Sequence, residues 1–173
     1  MQKEKIKPYV KWTTYYLILI VLYALQTTPR LFEIYAVKPI LIAPFVICIC
    51  MFEGVMPSAI FAMFGGLLWD LSSDKVLGFN AIIFVVCGVL ISLLCIYYLH
   101  TKLMNSVGFC AAVLLIQGLL EYFFYYAIWG YQDSYVVLIS NTMPCIVYTT
   151  VIGIPIFFLV RFISNKYNIV TRV

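Results

Sequence analysis

The chain has 173 residues, of which 65% are hydrophobic and 10% are charged, and its mean hydropathy of +1.05 lies far above that of a soluble domain. This composition indicates one integral membrane domain, because about six spans of roughly 20 residues leave no room for a separate soluble domain. The net charge of +4 does not indicate nucleic-acid binding, since the basic residues gather at the ends of apolar runs and are explained as topology signals.

The N-terminal segment MQKEKIKPYVKWTTYYLILI has a basic start followed by an apolar run, as a signal peptide does. No small-residue cleavage site follows that run, so we predict a retained first helix. Five further apolar runs complete an all-α, six-helix transmembrane bundle. The predicted spans cover residues 12–28, 39–52, 55–69, 78–99, 107–129 and 136–162.

The run from Pro39 to Trp69 contains one charge, Glu53, flanked by Gly54 and Pro57. It fits two short crossings, a re-entrant hairpin or one overlong tilted helix. Lys and Arg concentrate in cytoplasmic loops. With a cytoplasmic N-terminus, two crossings or a hairpin place eight of the eleven Lys and Arg residues inside, whereas a single crossing places five there. The count favours an even number of membrane crossings, with both termini in the cytoplasm.

The stretch FGGLLWDLSSDKVLGFNA ends the third predicted span and begins the fourth, at the outer surface. Gly65 and Gly66 remove side-chain bulk, which lets another helix approach closely. Asp70 follows Gly66 by one turn, and we expect Asp70 and Asp74 near water at a solvated helix end.

Two further residues of this stretch are suited to starting the fourth helix. Gly78 can supply a tight turn or the entry to the helix. Asn80 can cap that helix or form a hydrogen bond across the bundle. Polar residues of this kind also occur in an ordinary loop between spans, so a structural role is expected for them.

The fifth span contains Gln117, Glu121 and Tyr125 at i, i+4 and i+8, which places them on one stripe of a helix. A carboxylate deep in the bilayer is costly, so Glu121 should face the bundle, a partner or a water-filled cavity. No Lys or Arg within the predicted spans is an obvious ion-pair partner for Glu121. Hydrogen bonds from Gln117, Tyr125 or Asn141 are expected to relieve it, and a buried network, a partner contact and a ligand site all remain open.

Neither a cofactor, a metal site nor enzymatic activity is expected. The six cysteines fall in apolar runs without a Cys-x-x-Cys pair, and His100 is the only histidine. No nucleophile elbow or set of membrane-protease ligands is present. Asp70 and Asp74 could imitate a catalytic carboxylate pair, but a solvated helix end explains them better.

The block GGLLWDLSSDKVLGFNAIIF resembles the signature of the MreD family of rod shape-determining proteins, with a Gly-Leu-Leu-x-Asp helix end and, after a short loop, Leu-Gly before an Asn-Ala-like helix start. The matching residues are Gly66, Leu67, Leu68, Asp70, Leu77, Gly78, Asn80 and Ala81. The chain length, the basic N-terminus, Pro39, Glu121 and the ending YTTVIGIPIFFLVRFI are also similar to the family. Glu53 and Pro57 depart from it.

The resemblance implies a non-enzymatic membrane scaffold in the bacterial cytoplasmic membrane, within the rod complex that directs side-wall peptidoglycan synthesis. The implied partner is MreC and, through it, MreB, RodA and a transpeptidase. The residues expected to serve structure or partner binding are Gly65, Gly66, Asp70, Gly78, Asn80, Gln117, Glu121 and Tyr125.

The family is also similar in its six-helix architecture to the substrate-binding S components of energy-coupling-factor vitamin transporters, which supply the alternative function. Those proteins dock through a first helix with two alanines four residues apart. Here TTYYLILIVLYALQTT offers only Ala24. Such a protein would need an outward-opening pocket, for which Glu121, Gln117, Asn80 and Asn141 are the candidate lining residues.

Overall fold

The computed structural model describes residues 2–28, 38–73, 76–127 and 142–167. These residues form an all-α fold of six helices, numbered here in chain order. The helices are α1 (Gln2–Thr27), α2 (Ile42–Phe52), α3 (Val55–Ser72), α4 (Phe79–Tyr97), α5 (Leu103–Tyr122) and α6 (Met143–Lys166). A π-helical turn, Phe123–Ala127, continues α5.

The short helix α2 lies at the centre of the bundle. Every residue from Ile42 to Met51 is buried, and α2 contacts all five other helices. A helix that is apolar on all sides is expected in a protein core or in lipid. Its 11 residues extend only about 16 Å, roughly half of the hydrocarbon thickness. The surrounding helices therefore enclose α2, and it is too short to cross a membrane alone.

The apolar run from Pro39 to Trp69 forms two helices, separated at Glu53 and Gly54. α3 folds back antiparallel along α2, since a Cβ atom at Gly65 would lie 2.5 Å from Val46 Cγ2. This packing excludes the single overlong helix that the sequence left open.

Four of the described helices are long and apolar enough to cross a membrane. They comprise Val55–Ser72, Phe79–Tyr97, Leu103–Tyr125 and Met143–Lys166. The sequence predicted six crossings. Two of the six helices do not meet that standard, α2 because of its length and α1 because charged, Thr and Tyr residues dilute its apolar run.

The helix ends also differ from the predicted spans. α3 continues to Ser72 rather than ending at residue 69, and α5 begins at Leu103 rather than at residue 107. Residues 128–129 and 136–141 of the predicted spans lie outside the described residues. Hydropathy locates the apolar part of a helix, whereas the backbone hydrogen bonds continue into flanking polar residues.

Candidate functional site

Asp70 lies in the last turn of α3 with only 1% of its surface exposed. One carboxylate oxygen accepts hydrogen bonds from the backbone N–H of Asn80 at 3.1 Å and from the Asn80 side-chain amide at 2.9 Å. The other oxygen accepts from the backbone N–H groups of Gly78 at 2.8 Å and Ala81 at 3.3 Å. A side chain of α3 thus caps the N-terminus of α4.

This cap completes the hydrogen bonding of the first turn of α4. The first N–H groups of a helix have no acceptor within the helix, and burying them unpaired is costly. Besides the three N–H groups that Asp70 serves, Phe79 donates its own to the Val76 carbonyl at 3.3 Å. The helical ladder begins with Ile82, which donates to the Gly78 carbonyl at 3.0 Å. The negative charge also lies at the positive end of the α4 dipole.

The expectation that Asp70 lies near water was wrong. The start of α4 folds over the end of α3 and encloses the carboxylate. The spacing of Gly66 and Asp70 carried the missed signal, because residues four apart share a helix face, and a face that another backbone approaches at Gly66 is covered at Asp70 too. Asp74 lies outside the described residues.

The backbones of α3 and α4 approach each other closely at Gly66. A Cβ atom there would collide with the Cα and N atoms of Ala81 and would lie 3.0 Å from the carbonyl carbon of Asn80. The obstruction is main chain, which cannot turn aside as a side chain can. Gly78 precedes α4 with a φ of 95°, a left-handed conformation that favours glycine. This turn places the N–H groups around the Asp70 carboxylate.

A chain of polar side chains continues from Asp70 into α5. The Gln117 amide donates to Asn80 Oδ1 at 3.2 Å and to Glu121 Oε2 at 2.9 Å. Asn80 and Gln117 are buried, and Glu121 is half-buried. The hydrogen bonds therefore join α3, α4 and α5 in one network.

Tyr125 reaches the same end of the bundle from the π-helical turn. Its hydroxyl accepts a hydrogen bond from the Val76 N–H at 3.1 Å, and its ring makes an edge contact with Phe79 at 5.7 Å. The sequence placed Gln117, Glu121 and Tyr125 on one stripe of a regular helix. The π-helical turn changes the helical repeat after Glu121, yet Tyr125 still contacts the connection between α3 and α4.

The structure thus brings together seven of the eight residues that the sequence singled out. We call this set the Asp70 corner; it consists of Gly66, Asp70, Gly78, Asn80, Gln117, Glu121 and Tyr125. The eighth residue, Gly65, faces α2 instead.

Sequence reasoning missed a second buried polar site, at the other end of α3. Lys11 Nζ lies 2.6 Å from Glu53 Oε1, with side chains only 8% and 4% exposed. The Tyr15 hydroxyl donates to the same oxygen at 3.2 Å, and Ser92 donates to the Glu53 carbonyl at 3.2 Å. The interpretation of the basic residues as topology signals does not account for this role of Lys11. A lone carboxylate in an apolar run requires a partner, and that requirement was the available signal.

The buried polar atoms of the described side chains form hydrogen bonds within the chain. Among them, no buried nitrogen or oxygen lacks a hydrogen-bond partner, and no group of three His, Cys, Asp or Glu residues could hold a metal ion. The six cysteines are free thiols. The Asp70 carboxylate in particular is surrounded by four N–H donors, a setting that suits a structural anion.

The fold and its apolar helices define the class: a multi-pass helical membrane protein. Comparison with models of known protein families, with curated proteins and with solved structures found no match for this chain.

Proposed function

We propose that the protein is a non-enzymatic scaffold of the MreD type, a multi-pass component of the bacterial cytoplasmic membrane that binds MreC. Through MreC it would act with MreB, RodA and a transpeptidase in side-wall peptidoglycan synthesis. Both termini lie in the cytoplasm in this proposal.

One observation carries the proposal. The residues of the MreD-like signature, Gly66, Asp70, Gly78 and Asn80, meet in a single corner in which the carboxylate binds only N–H groups of the chain itself. A motif used for a reaction would direct its polar atoms toward a substrate. Here the motif joins two helices, as a scaffold requires.

The burial of these residues determines how they would serve a partner. Gly66, Asp70, Asn80 and Gln117 are all enclosed within the chain. They cannot form the contact surface themselves. Their role in the proposal is to fix α3, α4 and α5 relative to one another, so that MreC meets a preformed surface and little conformational freedom is lost on binding.

The test is purification of the tagged protein from its native membrane in mild detergent, with co-purifying proteins identified by mass spectrometry. We expect MreC in the wild-type sample and a reduced yield of MreC with Gly66→Leu, because the larger side chain separates α3 from α4. Gly108→Leu is the matched control, since nothing lies within 4 Å of a Cβ atom at Gly108. That variant should retain MreC.

Two results would contradict the proposal. Normal recovery of MreC with Gly66→Leu, at normal protein level, would separate the Asp70 corner from partner binding. Recovery of paired ATPases with a membrane coupler in place of MreC would favour the vitamin-transporter alternative.

A further inference from the structure

Helix α1 attaches to the rest of the bundle along one face. Among its side chains from Tyr9 onward, the buried ones are Lys11, Tyr15 and Leu19, at i, i+4 and i+8, and the helices that it contacts most are α2 and α3. Side chains on other faces, such as Leu17 and Ile20, are exposed. α1 is therefore the peripheral helix of a bundle whose centre is α2.

Two of the three buried residues of α1 converge on one atom. Lys11 Nζ lies 2.6 Å from Glu53 Oε1, and the Tyr15 hydroxyl donates to that oxygen at 3.2 Å. The other contacts of α1 with the bundle include the stacking of Tyr16 on Phe61 at 4.5 Å and, near the end of the helix, a hydrogen bond from the Ile42 N–H to Gln26 Oε1 at 3.2 Å. A buried ion pair thus lies where α1 meets the bundle.

Glu53 connects α1 to the interior of the protein. Its backbone N–H ends α2 by bonding to the Ile49 carbonyl, and its own carbonyl accepts a hydrogen bond from Ser92 of α4. The residue is held on two sides by elements other than α1. If the ion pair breaks, Glu53 stays in place, and α1 is the part that can move.

Breaking the Lys11–Glu53 pair has a free-energy cost, because either charge left alone in the interior is unfavourable. A buried ion pair adds little net stability compared with apolar packing, but removing one partner leaves the other charge buried without compensation. Lys11 follows the basic segment QKEKIKPYV, so a short displacement of α1 returns its ammonium group to water or lipid head groups.

We propose that the Lys11–Glu53 pair is a latch that keeps α1 docked on α2 and α3, and that α1 moves away from them when Lys11 loses its partner. Movement of α1 uncovers the side of α2 and α3 that carries Phe45 and Phe61, whose rings now contact Tyr15. This conformational device is independent of the proposed partner.

Cross-linking of the full chain in membranes tests the latch. Tyr16→Cys with Phe64→Cys places thiols where the α1 and α3 rings are now 5.8 Å apart. Phe79→Cys with Phe124→Cys is the matched control between α4 and the turn after α5, at 5.9 Å. A short bismaleimide is added, and linked peptides are identified by mass spectrometry, which distinguishes them from products of the native cysteines. Each pair is examined alone and with Glu53→Gln.

We expect Glu53→Gln to abolish the 16–64 cross-link and to leave the 79–124 cross-link intact. Adding Lys11→Met to Glu53→Gln removes the unpaired charge, so the 16–64 cross-link should return. A 16–64 cross-link that persists with Glu53→Gln would overturn the latch. Loss of both cross-links would show that the Lys11–Glu53 pair stabilises the whole fold rather than the docking of α1, which would refute the latch. Failure of Lys11→Met to restore the 16–64 cross-link would also refute the proposal.

Discussion

At the scale of single residues, two carboxylates are buried in different ways. The charge of Asp70 is stabilised by four N–H donors at the start of α4. The charge of Glu53 is balanced by the Lys11 ammonium group, and the Glu53 carboxylate accepts a hydrogen bond from the Tyr15 hydroxyl. Both satisfy the rule that a buried charge needs compensation. The first is compensated mainly by the backbone of one neighbouring helix, and the second depends on a side chain from a peripheral helix.

Asp70→Asn tests the cap of α4. The amide has one acceptor oxygen where the carboxylate has two, and its NH₂ group would face backbone N–H donors. We expect the free energy of unfolding to fall by about 2 kcal/mol or more, because buried donors are left unpaired. The measurement is SDS titration in mixed micelles.

Ser72→Ala is the control for that variant, because Ser72 lies in the same helical turn, is exposed and bonds only to the Trp69 carbonyl. Its effect should stay within about 0.5 kcal/mol. An equal loss of unfolding free energy in Asp70→Asn and Ser72→Ala would show that the end of α3 is sensitive to any change. The role of the Asp70 carboxylate as the cap of α4 would then be wrong.

At the scale of elements, the contact between α3 and α4 is the most extensive helix pairing of the described bundle. Gly66 brings the two backbones together at one end. Gly88 of α4 has a similar position farther along, where an added Cβ atom would lie 2.9 Å from Cys50 Sγ of α2 and 3.1 Å from Ala62 Cβ. Small residues therefore set the spacing of α2, α3 and α4, as is common where membrane helices pack closely.

Gly66→Ala tests this spacing with the smallest possible change. The new methyl group meets the Ala81 main chain, so α4 must shift, and we expect a loss of about 2 kcal/mol in the free energy of unfolding. Gly108→Ala in α5 enters open space and replaces a poor helix former, so it should be neutral or stabilising by up to about 1 kcal/mol. Thermal or SDS-induced unfolding of both variants provides the comparison. A Gly66→Ala variant as stable as Gly108→Ala would contradict the close backbone contact.

At the scale of the whole molecule, α2 is enclosed while α3 to α6 supply the four helices able to cross a membrane. Consecutive crossings alternate in direction, so the connection at Val76 and the connection at His100 must lie on opposite sides. The end of α6 at Lys166 must lie on the same side as His100. From the distribution of Lys and Arg we predict that this side faces the cytoplasm.

Cysteine labelling of intact cells tests this topology. Val76→Cys should react with a membrane-impermeant maleimide from outside, since Val76 is exposed. His100→Cys and Lys166→Cys should react only after permeabilisation. The wild-type chain is the control, because its six cysteines all lie within helices, three of them buried and three half-buried. Labelling of positions 76 and 100 from the same side would refute the crossing of α4.

Residue patterns were enough to predict an all-α membrane bundle, the interruption at Glu53 and Gly54, and the turn at Gly78. These features depend on local chemistry: apolar runs require lipid or a core, and a positive φ favours glycine. The structure has the six helices that were predicted, and four of them are long and apolar enough to cross a membrane. The enclosed position of α2 was not predictable, because α2 and a membrane span have the same apolar character and differ only in length and surroundings. The π-helical turn after Glu121 has no comparable sequence signal.

The sequence by itself determined the class of this protein, since a chain with so few charges must bury its apolar runs in lipid or in one another. Only the tertiary structure decided which partner each buried polar group finds. Asp70 bonds to the start of α4, Glu53 pairs with Lys11 of α1, and α2 lies inside rather than across. The physical reason is that compensation of a buried charge depends on distances between helices that are remote in sequence, and no local pattern encodes those distances.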